Sequence, residues 1–128
     1  MANISSRLNP AIWPATARTE GKSGELSLGG ISVSELVARF GTPVFVLDET
    51  DFRARAVKFR NAVEEIFGAT AKVYYASKAF TSIATSKWLA EDGLNLDVCT
   101  GGELAVALAA KFPTDRIEVH GNNKSVEE

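Results

Sequence analysis

The sequence has few of the residues that reveal a site by spacing alone. It contains one cysteine, Cys99, and one histidine, His120. A single cysteine cannot form an internal disulfide and accords with a reducing compartment, so a cytoplasmic setting is expected. With one His and one Cys there is no metal-ligand spacing to read, and no metal site is expected. Charge of one sign is also lacking: 14 Lys and Arg face 16 Asp and Glu, a formal net charge of -2. No segment carries a basic stripe, so nucleic acid is not an expected partner. No apolar run approaches the roughly 20 residues of a membrane-spanning helix. The opening MANISSRLNPAIWP has no apolar core behind a charged start, unlike a secretory leader. The phosphate-cradling patterns GxGxxG and GxxxxGK(S/T) are both missing.

What is present is an ordinary globular composition. Of 128 residues, 45% are hydrophobic and 23% charged, too apolar for a disordered chain. The length suits one domain, and it falls well short of the roughly 250 residues of a complete (β/α)8 barrel.

Residues 1–24 are polar, with Pro10, Pro14, Gly21 and Gly24 and no sustained periodicity; they read as a flexible N-terminal arm. ELSLGG (25–30) alternates briefly, as a short strand does. Ser32 followed by Glu35 forms a capping-box pattern ahead of a helix that runs to Phe40, where Gly41 and Pro43 stop it. A rhythm then sets in. VFVL (44–47) reads as a strand, and 51–67 as an amphipathic helix on Phe52, Ala56, Phe59, Val63 and Ile66. VYYAS (73–77) is a strand, 82–92 a helix and LNLDV (94–98) a strand. Thr100 and Glu103 make a second capping box, opening a helix over 103–112 whose apolar character all round predicts deep burial, with Pro113 as its stop. RIEVH (116–120) is a strand, GNNK a turn, and Ser125 with Glu128 a third capping box. Strands alternating with helices imply βα units and a parallel sheet, in a doubly wound fold or a (β/α)8 barrel. The rhythm alone does not choose between them.

Both architectures bind ligands at the C-terminal ends of the strands. The residues at those ends are Lys78 after VYYAS, Asp97 and Cys99 closing LNLDV, and His120 after RIEV. Lysine, carboxylate and imidazole would then share one rim. A strand-end lysine partly removed from water can form a Schiff base with an aldehyde, and a nearby carboxylate can hold the lysine once it is released. That is the minimal kit of a pyridoxal phosphate site. Each residue also has a plain structural reading. Lys78 can be a solvated strand end, Asp97 a turn former, Glu103 the capping-box acid, His120 a partner for backbone, and Cys99 a small buried apolar residue. Tyr74 and Tyr75 point to alternate faces, one to a core and one towards a helix.

The blocks TPVFVLDE, VYYASKAF, LNLDVCTGGELAVALAA and RIEVHGNNKS, in that order and spacing, resemble the diaminopimelate decarboxylase family of pyridoxal 5'-phosphate enzymes, over about Leu26 to Glu128. The resemblance implies α/β architecture: the start of an alanine-racemase-type (β/α)8 barrel over 42–128, with 25–41 contributing to a β domain. It implies decarboxylation of meso-2,6-diaminopimelate to L-lysine by a homodimer. Lys78 is similar to the lysine that carries the cofactor. Asp97 matches an acid near that lysine, catalytic and cofactor-binding, and Glu103 a glutamate near the cofactor. His120 lies on the cofactor-binding rim but does not correspond to the family's ring-stacking histidine. The same fold also serves decarboxylases of ornithine, arginine or carboxy-polyamines, and non-catalytic pyridoxal phosphate carriers; the two-domain lead-in ELSLGGISVSELVARFGTPVF argues against a carrier. The family's phosphate loop, the acid on the pyridine nitrogen and the residues that read the distal end of the substrate have no counterpart here. The resemblance therefore makes this the N-terminal part of a longer enzyme, inactive and prone to aggregate by itself.

Overall fold

The structure, a computed structural model, describes residues 8–21, 23–122 and 124–127. Backbone contacts divide the chain into two units, Met1–Ala54 and Arg55–Glu128.

The first unit is built on a small antiparallel sheet. Strands β1 (Arg18–Glu20), β2 (Glu25–Leu28) and β3 (Ile31–Ser32) pair in the order β1-β2-β3. The strand expected from ELSLGG is β2. The polar stretch 1–24 supplies β1, which no alternation announces: Arg18 sits opposite Ser27 and Thr19 opposite Leu26. Helix α1 (Val33–Phe40) starts as its capping pattern requires, Ser32 accepting from the Glu35 amide. It buries Leu36 and ends at Gly41, where φ is 75°.

VFVL does not form a strand. Residues 43–48 are irregular and Phe45 is fully exposed. A strand needs a hydrogen-bonding neighbour, and among the described residues none pairs with this segment. Beyond it, Asp48 caps helix α2 (Glu49–Phe67), accepting from the Asp51 amide at 3.0 Å. The other oxygen of this buried carboxylate accepts from the Thr16 hydroxyl, and Thr16 Oγ1 accepts from the Gly29 amide at 2.9 Å. One buried acid thus ties the segment before β1, the β2–β3 turn and the start of α2 together.

The second unit follows the alternation of the sequence. Strands β4 (Tyr74–Ala76), β5 (Asn95–Val98) and β6 (Ile117–Val119) form a parallel sheet in that order. Helices α3 (Ile83–Glu91) and α4 (Gly101–Ala109) make the crossovers. Leu96 and Val98, both fully buried, sit in a core with Leu89, Ala107, Ala110 and Phe112. Asn95 and Asp97, alternating with them, face the other side of the sheet.

Two helices end in the same kind of closure, one marked by glycine in the sequence and one not. The Leu94 amide donates to Leu89 O and the Gly93 amide to Ala90 O, a Schellman closure with Gly93 at φ 78°. Helix α4 ends the same way, the Phe112 amide donating to Ala107 O and the Lys111 amide to Leu108 O, but the residue at positive φ (59°) is Lys111. Lys111 therefore stops α4 before Pro113 is reached and turns Phe112 into the core. The expectation that α4 is buried all round does not hold. Of its residues only Ala107 is buried, and Leu108 is 51% exposed, because α4 packs mainly on α3 and leaves its other faces open. The third capping box lies partly outside the described residues at Glu128, as does Asn123 of the GNNK turn; residues 125–127 are not helical.

Candidate functional site

The parallel ladder sets which residues meet at the strand ends. Ala76 is in register with Asp97, and Asp97 with Glu118. Two residues beyond these positions in the chain come Lys78, Cys99 and His120. The His120 amide donates to Val98 O at 3.0 Å and so extends the β5–β6 pairing to the histidine itself.

Lys78 sits in a short 3-10 turn, Ser77–Ala79, directly after β4, and its side chain is exposed. Its neighbour Ser77 is buried, with a hydroxyl that has no hydrogen-bond partner among the described residues. Tyr75, half-buried, donates its hydroxyl to Phe80 O at 2.9 Å and so braces the turn that carries Lys78. Tyr74 is 37% exposed, so neither tyrosine is fully buried.

Asp97, Cys99 and His120 form one contiguous chain. His120 Nδ1 is hydrogen-bonded to Asp97 Oδ1, and Cys99 Sγ lies 3.1 Å from Nε2 and 3.7 Å from Nδ1. A carboxylate on one ring nitrogen fixes both the tilt and the tautomer of the imidazole. The structure pairs Asp97 with His120. Cys99 is half-buried and in polar contact, not a small core residue. The lone Cys and His had no motif spacing, yet their donor atoms and that of Asp97 all lie within 4.8 Å of one another. Twenty-one residues separate Cys99 from His120; only strand pairing brings them together, so no local signal could have shown it.

Glu103 does more than cap. Thr100 Oγ1 accepts from the Glu103 amide at 3.2 Å, the forward half of a capping box. The return bond is displaced by one residue: Glu103 Oε2 accepts from the Cys99 amide at 2.6 Å. The glutamate thereby fixes the backbone of the cysteine at the end of β5. Lys124, missed in the sequence, donates from Nζ to Cys99 O. The start of α4 is open: a Cβ added at Gly101 would meet nothing within 4 Å.

An exposed primary amine at one strand end, with a carboxylate and an imidazole at the next two, has the donor set to hold an aldehyde cofactor and to handle protons beside it.

Comparison with known proteins adds the wider context. Residues 50–128 match the family model described as "Pyridoxal-dependent decarboxylase, pyridoxal binding domain". The chain is 50% identical over 121 residues to the diaminopimelate decarboxylase of Mycobacterium tuberculosis, covering 94% of this chain and 26% of that protein. It is 47% identical over 109 residues to that of Bacillus subtilis, covering 85% and 25%. Among solved structures, the diaminopimelate decarboxylase of M. jannaschii superposes with a TM-score of 0.72 at 34% identity, covering 88% of this chain and 26% of that one. The same protein in co-complex with L-lysine gives 0.70 at 32% identity, covering 89% and 26%. The chain thus spans about a quarter of the length of the curated relatives it matches.

Proposed function

The chain belongs to the pyridoxal-dependent decarboxylases, through their pyridoxal-binding domain, and from that premise we propose that it is the N-terminal part of an enzyme converting meso-2,6-diaminopimelate to L-lysine and carbon dioxide. The observation that carries the reading is the parallel ladder that sets Lys78, Asp97 with Cys99, and His120 on consecutive strand ends. The substrate follows from relatives up to 50% identical that bear this name. The reading extends to a cytoplasmic homodimer in which residues 25–41 join a β domain and 42–128 open the barrel.

In this reading Lys78 holds pyridoxal 5'-phosphate through its amine, and Asp97, Glu103 and His120 line the same rim. The cofactor, when bound, supplies the electron sink that lets a carboxylate leave as carbon dioxide. The chain's own part is positioning and proton handling. Lys78, exposed on a braced turn, is free to attach and to be displaced by an incoming amine. Asp97 and His120, already hydrogen-bonded, hold a proton between them within the rim that Lys78 enters. Glu103 fixes the Cys99 backbone and with it the end of β5.

The test uses the full-length polypeptide incubated with pyridoxal phosphate, reduced with borohydride and mapped for the pyridoxyl group. The expected label is on Lys78. Lys78→Ala should remove it and lower carbon dioxide release from meso-diaminopimelate by about 100-fold or more. A label on another lysine would refute the assignment of Lys78. Release from ornithine but not from diaminopimelate would refute the substrate.

A further inference from the structure

We propose that Asp97, Cys99 and His120 form a binding site for a borderline divalent transition-metal ion of the Zn2+ type at the C-terminal ends of β5 and β6. The site offers three different donors: a thiol sulfur, an imidazole nitrogen and a carboxylate oxygen, all within 4.8 Å of one another. Tetrahedral zinc, with Zn–S about 2.3 Å and Zn–N about 2.0–2.1 Å, sets sulfur and nitrogen roughly 3.5 Å apart. Cys99 Sγ lies 3.1 Å from His120 Nε2 and 3.7 Å from Nδ1, distances on either side of that bite. Asp97 Oδ1 is hydrogen-bonded to Nδ1, so the imidazole turns to present one nitrogen to an ion that the sulfur and the carboxylate also reach. Binding also releases the thiol proton to solvent, leaving a thiolate on the metal.

The donor set selects the ion. Magnesium and calcium require oxygen ligands; sulfur with imidazole favours zinc, cobalt and their neighbours. The backbone is set in advance at both strand ends. His120 is held by its amide bond to Val98 O at 3.0 Å, and Cys99 by its amide bond to Glu103 Oε2 at 2.6 Å. The donors reach solvent, Asp97 being 18% and His120 39% exposed in their side chains. Three protein ligands with an open fourth position make an exchangeable site rather than a closed structural one. The ammonium of Lys124, held on Cys99 O, opposes the ion and works in the same direction.

The site uses side chains that converge in this chain whether or not Lys78 carries a cofactor, and so does not rest on the enzyme reading. The test titrates Co2+, a spectroscopic stand-in for Zn2+, into the full-length protein after chelator dialysis. It is run on protein as isolated and again after removal of any pyridoxal phosphate. One Co2+ per chain is expected in the stripped protein, with a thiolate-to-cobalt charge-transfer band that Zn2+ abolishes. Cys99→Ser should lose the band. His120→Ala and Asp97→Asn should weaken binding by about 10-fold or more, with circular dichroism confirming that each variant folds. Absence of a stoichiometric band in both preparations, or a band that survives Cys99→Ser, overturns the proposal. The pyridoxyl label on Lys78 is scored on the protein as isolated. A label there with no cobalt band in either preparation defeats the metal site alone, and a band in the stripped protein with no label on the protein as isolated defeats the enzyme reading alone.

Discussion

At the scale of single residues, the turn that presents Lys78 depends on Tyr75. Its hydroxyl reaches Phe80 O across that turn, and burial pushes its phenol pKa above the ordinary value of 10.0. The sign follows from linkage. The folded state holds the phenolic proton more tightly than the unfolded state, so this contribution to stability is complete below pH 10 and fades as pH rises through the folded-state value. Phenolate absorbance should show a tyrosine component titrating above the ordinary phenol value, and Tyr75→Phe should remove that late component. The variant should also lose about 0.5–1.5 kcal/mol with the hydrogen bond. A late component that persists in Tyr75→Phe would place the perturbed phenol elsewhere. The placement of Lys78 at a strand end was legible from sequence because it depends on chain position alone, immediately after an apolar strand. The Asp97–His120–Cys99 chain was not, because its contacts cross from β5 to β6 and depend on a register that no single segment encodes.

At the scale of elements, the helix ends carry the sharpest expectations. Lys111 adopts a left-handed conformation, which costs a residue with a Cβ roughly 1–2 kcal/mol. Lys111→Gly should relieve most of that cost and raise the stability of the unit by about 1 kcal/mol, read as a shift of the urea midpoint. A lower midpoint would mean that the lysine stem makes contacts worth more than the strain. At the start of α3, Ser82 and Thr85 form a full reciprocal box, Ser82 Oγ accepting from the Thr85 amide at 3.1 Å and Thr85 Oγ1 from the Ser82 amide at 2.9 Å. Ser82→Ala should cost about 1 kcal/mol in the same measurement, and an unchanged midpoint would show the cap to be redundant. These ends also show where sequence reading stops. Gly93 announces a Schellman closure because glycine favours positive φ, whereas Lys111 closes α4 in the same way with no such mark. The helices and β4–β6 were legible from their periodicity and their breakers. VFVL was misread because alternation and apolarity describe what a strand buries, while its existence depends on a partner strand elsewhere.

At the scale of the whole molecule, the balance between buried and exposed apolar surface becomes decisive. In the first unit Val44, Phe45, Val46 and Leu47 are each at least 40% exposed, beside a groove of about 310 Å³ lined by Leu28, Ile31 and Leu36. In the second unit Phe59, Ile66, Phe67, Phe80 and Leu108 are similarly open, and the parallel sheet has only three strands, so the outer edges of β4 and β6 lack partners among the described residues. Unpaired edges and contiguous apolar patches favour association between chains. The 128-residue chain expressed by itself should therefore bind a hydrophobic dye strongly and form assemblies that grow with concentration in light scattering. A polypeptide of the relatives' length is expected to do neither to the same degree, since it has the length that a closed (β/α)8 barrel needs to pair such edges. If the short chain were instead a monodisperse monomer with a sharp cooperative melt, the open faces would have to close on one another. The strand ends that carry Lys78 and His120 would then belong to a small folded domain in its own right rather than to the first turn of a barrel.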